Sequence, residues 1–492
     1  MSTSTFFLDG KNLSLDIFEK ICAKKLRVSL HPTAEKKMMQ SHALLDQWLK
    51  KGEIIYGLNT GFGSLSDVKI NASQNELLQL NLIRSHACGV GDLLTEEETR
   101  ALILLRAQVL ACGHSGVRPL IVKKLLELLN RNIYPYIPQK GSVGASGDLA
   151  PLAHLALVLI GEGKILNHTS FSPLKLSGRE GLALINGTQL MAALSALNIL
   201  KAHQLFKLFD IAAAMSLEAV QGSRMPFYAD LHALRPHPGQ KEVAKTIWNL
   251  TQHSKIQENH KNCDKVQDSY SFRCIPQVHG SSKDALLFAK KIIETEINSV
   301  TDNPIIFPKH KKSISGGNFH GQYLSQAMDF LSIAATTLVN ISERRIEKLL
   351  DPKFSGLPAC LAAQEGLESG LMLTHVTAAA LASQNKVLSH PASIDSIPTS
   401  GNKEDHVSMG ITAAFKAKEI LKNAQEVLAI EFLAASQGIY YRRPLTTSPS
   451  LEKIHSIIRT QVPPIKKDRI FSKDIAMIKT LFPKILSAIH EN

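Results

Sequence analysis

Three long stretches of this chain contain neither proline nor glycine: residues 188–221, 322–351 and 411–437. Each is rich in Ala, Leu, Ile, Lys and Glu, all but Ile strong helix formers. Apolar residues recur at spacings of three and four, as in Ala417, Leu421, Ala424, Leu428 and Phe432, which is the spacing of one helix face. A helix over residues 188–221 spans roughly 50 Å at 1.5 Å per residue. Rods of that length predict a mainly α fold, a long central bundle whose excess apolar surface is buried by other subunits. Residues 1–187 hold most of the glycine-rich motifs and read as a mixed N-terminal region. Residues 188–492 read as the bundle that completes the site and forms the oligomer core.

Within the N-terminal region, Ile54-Ile55-Tyr56 reads as a short extended run entering the turn Gly57-Leu-Asn-Thr-Gly-Phe-Gly63. Thr95-Glu-Glu-Glu98 has the pattern of a capping box, so a helix is expected through Ala101 to Ala111. The polar segment 252–266 reads as a surface loop.

The composition excludes several classes. With 492 residues, 44% hydrophobic and 20% charged, the chain is globular. No apolar run reaches the roughly 18 residues that a membrane helix needs; the run Leu152–Ile160 is broken by His154 and ends at Gly161. The opening residues to Asp9 lack a basic region followed by an apolar core, so a cytoplasmic protein is expected. Cys22, Cys88, Cys112, Cys263, Cys274 and Cys360 form no Cys-x-x-Cys, and no His-Glu-x-x-His occurs, which argues against a disulfide frame and against a metal site. The formal charge is +13, but the basic runs around Lys309–Lys312 and Lys466–Arg469 are short and carry no interleaved aromatics. A solvated basic surface explains them better than a nucleic-acid partner.

The sharpest local signal is Gly141-Ser-Val-Gly-Ala-Ser-Gly-Asp-Leu-Ala-Pro-Leu152. It lacks the final glycine of a nucleophile elbow and the Gly-Lys-Ser/Thr of a phosphate loop. Ala-Ser-Gly alone is a weak signal, and a plain glycine-rich turn before a helix stays open on these residues. The alternative is chemical. A tight turn can bring the Gly147 nitrogen onto the Ala145 carbonyl carbon, and glycine leaves that nitrogen uncrowded. Loss of water from the ring and from Ser146 would leave an exocyclic methylene on an imidazolone, an electrophile that no ordinary side chain offers. Asp148 is placed to accept hydrogen bonds during closure.

Gly144-Ala-Ser-Gly-Asp-Leu-Ala-Pro-Leu152 resembles the signature of the aromatic amino acid ammonia-lyases, the family that carries a 4-methylideneimidazol-5-one (MIO) group. Further stretches resemble that family in order: Tyr56–Gly63, Ser85-His-Ala-Cys-Gly-Val-Gly91, Gly181–Thr188, Gln267–Arg273, Thr301-Asp-Asn-Pro304 and Gly316–Gly321. The resemblance runs from about residue 10 to residue 480. It implies the mostly helical fumarase/aspartase-like fold, a homotetramer, and a cofactor formed from Ala145, Ser146 and Gly147 with no metal and no nucleotide. It also implies a small amino acid as substrate, with neither nucleic acid nor membrane as partner.

The resemblance assigns roles residue by residue. Tyr56 corresponds to the base that removes the β-proton. Arg273 corresponds to the clamp on the substrate carboxylate, and Asn186 and Gln267 to residues that hydrogen-bond the carboxylate and cofactor region. Asp148, Tyr270 and Phe319 correspond to residues that support the cofactor. Ser85-His86 and Glu404-Asp-His406 are similar to the members that act on histidine. An imidazole wants polar partners, which His86 and Glu404 supply; a carboxylate facing a neutral phenyl ring would be unpaired and costly. Lys403 is a departure, because Gln is the commoner residue there. Tyrosine or phenylalanine lyases and aminomutases of the same family are the competing reading, and a non-catalytic basic helical scaffold is the remote one. If Ala145-Ser146-Gly147 closes as described, the intact chain weighs two waters less than its sequence, and Ser146→Ala restores the encoded mass and abolishes turnover; active protein of the encoded mass contradicts this.

Overall fold

The computed structural model describes residues 4–167, 170–259 and 266–490. The long proline-free and glycine-free stretches form continuous helices, Gln189–Ala219, Gln322–Leu350 and Gly410–Tyr441. The expected capping box is present: Thr95 Oγ1 accepts from the Glu98 N–H and the Glu98 carboxylate accepts from the Thr95 N–H, at 3.3 and 2.8 Å. It starts the helix Glu96–Ala111, which is almost wholly buried. Strands are few and short. Thr5–Leu8 pairs in parallel with Arg27–Leu30, Val90–Leu93 pairs antiparallel with Pro138–Lys140, and Ile305–Phe307 pairs antiparallel with Lys312–Ile314. The fold is therefore mainly α, as expected.

The chain forms two compact units, each discontinuous in sequence. The first comprises residues 1–200, 290–329 and 391–415; the second comprises 201–289, 330–390 and 416–492. Each of the three long helices contributes residues to both units. Packing at three- and four-residue spacing reports which face of a helix is buried but not which neighbour covers it, so sequence periodicity carries no signal for this interleaving.

The second unit has a charged interior. Glu431 accepts from Arg345 at 2.5 and 3.0 Å, from Ser216 at 2.8 Å and from Ser342 at 2.6 Å. His279 joins Arg345 to Asp210, which also pairs with Lys283. A buried pair of this kind fixes which helices meet; stripping one partner from it typically costs about 3–5 kcal/mol.

Two local expectations are corrected. Residues 54 and 55 form no strand, and Tyr56 opens a turn directly. In the polar segment 252–266, Lys255–Asn259 is a short helix anchored by buried Ile256; residues 260–265, with Cys263, lie outside the described residues. Cys22, Cys88, Cys112, Cys274 and Cys360 are free thiols. Among the described residues no group of His, Cys, Asp or Glu has metal-binding geometry, and no helix is long and apolar enough to cross a membrane.

Candidate active site

The Ala145-Ser146-Gly147 loop is held by a second backbone segment. Gly147 bridges to Gly187, and the Asp148 N–H donates to the Gly187 carbonyl at 2.8 Å. Gly147 adopts φ +77°, and a Cβ there would lie 2.2 Å from the Gly187 oxygen, so only glycine fits. Asn186 Nδ2 donates to the Ser146 carbonyl oxygen at 2.9 Å. Ser142 Oγ receives the Gly144 N–H and donates to the Gly147 carbonyl, which tightens the turn further. Beneath it, Asp148 is fully buried. Its Oδ2 accepts from the Met191 N–H at 2.9 Å, whereas its Oδ1 has no partner among the described residues. Burial pushes the Asp148 carboxyl up to about 7, against the opposing pull of the Met191 and Leu190 N–H groups.

Ser146 faces a cavity of about 850 Å³ in the first unit, which Tyr56, His86, Asn186, Phe319 and Glu404 also line. Its hydroxyl donates to Glu404 Oε1 at 2.7 Å, while Thr399 Oγ1 donates to Oε2 at 2.6 Å. A backbone bridge between Thr399 and Glu404 fixes that carboxylate. His86 is the last residue of the helix Asn75–His86, and Ser85 Oγ lies 3.0 Å from its Nδ1. Burial lowers the His86 pKa, with the Leu82 carbonyl and the Glu404 charge pulling the other way. Tyr56 is held by its own turn: its Oη accepts from the Gly63 N–H at 3.3 Å, and Phe62 meets the ring edge-on at 6.4 Å. Gln79 pins that turn by donating to Gly57 O and accepting from the Leu182 N–H.

Tyr56, His86, Ala145, Ser146, Gly147, Asp148, Asn186, Phe319 and Glu404 thus belong to one loop cluster of the first unit. Gln267, Tyr270 and Arg273 belong to the second unit and line none of this cavity. There the helix Tyr270–Arg273 is anchored by Phe272 stacked on Phe354 at 5.7 Å. Tyr270 is 69% exposed, and the Arg273 guanidinium lies over its ring at 4.5 Å. Lys403 does not serve Glu404: its ammonium donates to Ser66 Oγ at 2.9 Å and lies 3.7 Å from Asp67.

Sequence reasoning missed several supports. His320 and His406 stack at 5.8 Å and tie the segment carrying Phe319 to the one carrying Glu404. Ser408 Oγ donates to Gly144 O at 2.8 Å, and the Met409 N–H donates to Val143 O, so the segment after Glu404 also clasps the loop. The backbone carbonyls involved leave no trace in residue types.

The family model for "Aromatic amino acid lyase" matches residues 13–460. The chain belongs to the aromatic amino acid lyase family. Histidine ammonia-lyase of Myxococcus xanthus is 46% identical, with 98% of this chain and 97% of that protein aligned. The crystal structure of histidine ammonia-lyase from Trypanosoma cruzi superposes with a TM-score of 0.91 at 42% identity, covering 99% of this chain and 95% of that one. Tyrosine aminomutase from Streptomyces globisporus superposes with a TM-score of 0.92 at 35% identity, covering 99% and 98%.

The loop fits the electrophile associated with this lyase family. Gly147 carries no side chain of its own to crowd its nitrogen, a Cβ there would meet the Gly187 backbone, and Asp148 offers a buried oxygen with no partner among the described residues.

The raised Asp148 pKa has a consequence for stability. Between its ordinary value of 3.8 and about 7, the folded chain keeps a proton that the unfolded chain has released, so Asp148 makes stability fall as pH rises through that window. In a Ser146→Ala background, where the loop stays as encoded, the stability of the Asp148-bearing chain relative to Asp148→Asn should decline from pH 4 to pH 7 and then level, as read by urea unfolding. A constant difference over that range would contradict this environment for Asp148.

Proposed function

We propose that this chain is a carbon–nitrogen lyase that removes ammonia from L-histidine to give trans-urocanate, using an MIO group formed from Ala145, Ser146 and Gly147. The observation that carries the proposal is the meeting of Ser146, Glu404, His86 and Tyr56 in one cavity. The relatives named for histidine deamination, at 46% identity over nearly the whole chain, support it.

Formation of the group needs only this chain. The Gly147 nitrogen bonds to the Ala145 carbonyl carbon; that oxygen leaves as water with the protons of the Gly147 and Ser146 nitrogens. Ser146 then loses its Cα proton and its hydroxyl as a second water. Asn186 keeps its hydrogen bond to the Ser146 carbonyl oxygen, which neither water removes. When formed, the methylene of the group is the electrophile that activates the substrate amine as a leaving group.

Dehydration of Ser146 takes away the hydroxyl that donates to Glu404 Oε1, while Thr399 still holds Oε2. Glu404 then has a free acceptor in the cavity for an imidazole N–H. Burial biases His86 toward the neutral ring, which offers one donor and one acceptor to the same imidazole. Tyr56, its ring fixed by Phe62 and its oxygen by Gly63, takes the β-proton. Arg273 suits the substrate carboxylate, because a guanidinium binds it with two parallel hydrogen bonds; Gln267 and Tyr270 accompany it on the second unit.

We further propose a homotetramer whose sites draw on several subunits. Apolar side chains stand out on several long helices: Tyr323 is 73% exposed and Val387 75%, and the exposed pair Phe288–Phe330 packs edge-to-face. Patches of this kind mark contacts between chains. Light scattering should give four chains per particle, and a fully active monomer would overturn this arrangement.

A site built to hydrogen-bond its substrate rejects analogues that cannot. L-Histidine should exceed L-phenylalanine by about 10⁴-fold in kcat/KM. Glu404→Gln should cut histidine turnover strongly, and His86→Leu with a bulky residue at Ser85 should admit phenyl side chains. Tyr56→Phe should slow every substrate alike. A Glu404→Gln enzyme that keeps its preference for histidine would refute the imidazole-binding role.

A further inference from the structure

Arg106 lies midway along the helix Glu96–Ala111, has no solvent exposure and plays no part in the chemistry above. Burial draws its pKa down to about 10, so it is still a cation at neutral pH. An isolated buried charge is costly. Two other arginines of the first unit are buried with more partners, although the Nε of Arg179 also has none among the described residues. Arg100 donates to the carbonyls of Ile21, Cys22 and Leu129 and to Asn132. Arg179 clasps Asp302 at 3.0 and 3.1 Å and donates to the Ser115 and Asn303 carbonyls. Among the described residues no carboxylate forms an ion pair with Arg106, and Asp302 and Asp148 act on it only as nearby charges. Its Nη1 donates to the Asn186 carbonyl at 2.8 Å and to Gln189 Oε1 at 2.5 Å, and its Nε and Nη2 have no partner among the described residues.

Both acceptors belong to the segment that templates the cyclising loop. Asn186 donates to the Ser146 carbonyl, Gly187 receives the Asp148 N–H, and the Gly147 backbone lies against Gly187. Gln189 extends the connection to Thr301 Oγ1 at 2.7 Å. A Cβ on Gly187 would lie 2.8 Å from Arg106 Nη1, so the glycine is also what lets the guanidinium reach this segment. We infer that Arg106 is a positioning residue for formation of the MIO group: it holds Asn186 and Gln189 so that the Gly147 nitrogen is kept against the Ala145 carbonyl carbon. The inference rests on the reading that Ala145-Ser146-Gly147 cyclises, and it adds no reactant: the bonds formed, and the two waters released, are those already described.

The distinguishing property is that Arg106 sets the rate of dehydration of an already folded chain. Newly translated full-length chains are followed by intact mass and by circular dichroism as they age. Arg106→Met should reach native helicity but lose its two waters about tenfold or more slowly than the unmutated chain, the scale of a lost charged hydrogen bond. Arg106→Lys, whose single ammonium cannot reproduce the planar fork, should fall between them, and it carries the test if Arg106→Met does not fold. Leu102→Ala removes buried packing from the same helix but no hydrogen bond to the segment at 186–189, and should dehydrate at the unmutated rate. The inference is overturned if the Arg106 variants dehydrate as fast as the unmutated chain, or if Leu102→Ala slows the step equally. An unmutated chain that keeps its encoded mass overturns the cyclisation itself, a result separable from either of these.

Discussion

The site depends on the contact between two glycines. Gly147 sits against Gly187 with no room for a Cβ on the approaching face, and the Asp148 N–H and Gly187 carbonyl close the contact with a hydrogen bond. A peptide nitrogen does not ordinarily attack a neighbouring carbonyl, because an extended or helical backbone keeps the two apart. Here the chain is forced through a left-handed turn at Gly147 while Asn186 grips the carbonyl of Ser146. For the proposed cyclisation, the entropy of ordering this turn would be met at folding rather than at the reaction.

Other contacts hold the groups that face Ser146 across the cavity. Glu404 and Thr399 form a small hydrogen-bonded unit aimed at Ser146, and the stacked His320 and His406 keep Phe319 and Glu404 together. Lys403, which by its chemistry could have neutralised Glu404, is spent on Ser66 and Asp67 in the turn that follows Tyr56. The substitution therefore leaves the Glu404 carboxylate to its oxygen donors. The interior of the second unit is similarly polar, with Glu431 satisfied by Arg345, Ser216 and Ser342, so its helices are specified by hydrogen bonds as well as by apolar packing.

Much of this was legible in the residues. Helix positions were readable wherever proline and glycine are absent, and the capping box at Thr95 was readable because both of its partners are local. The loop at residues 144–152 and the members of the cavity from Tyr56 to Glu404 were readable through their resemblance to a family. What stayed hidden is non-local. Arg106 looks like any arginine in a helix until Asn186 and Gln189, about eighty positions later, are seen beside it. The interleaving of the two units, the grip of Ser408 on Gly144 and the partner of Lys403 depend equally on long-range contacts. Ile54 and Ile55 misled because an apolar pair before a turn suits a strand, yet among the described residues no second strand pairs with it.

The most direct test of the account is the ultraviolet spectrum of purified, unmutated protein after L-histidine is added. Urocanate absorbs where histidine does not, so a rising band that requires the enzyme is expected, with ammonia released in equal amount. A flat spectrum with L-histidine, alongside turnover of L-tyrosine or L-phenylalanine by the same dehydrated protein, would contradict it.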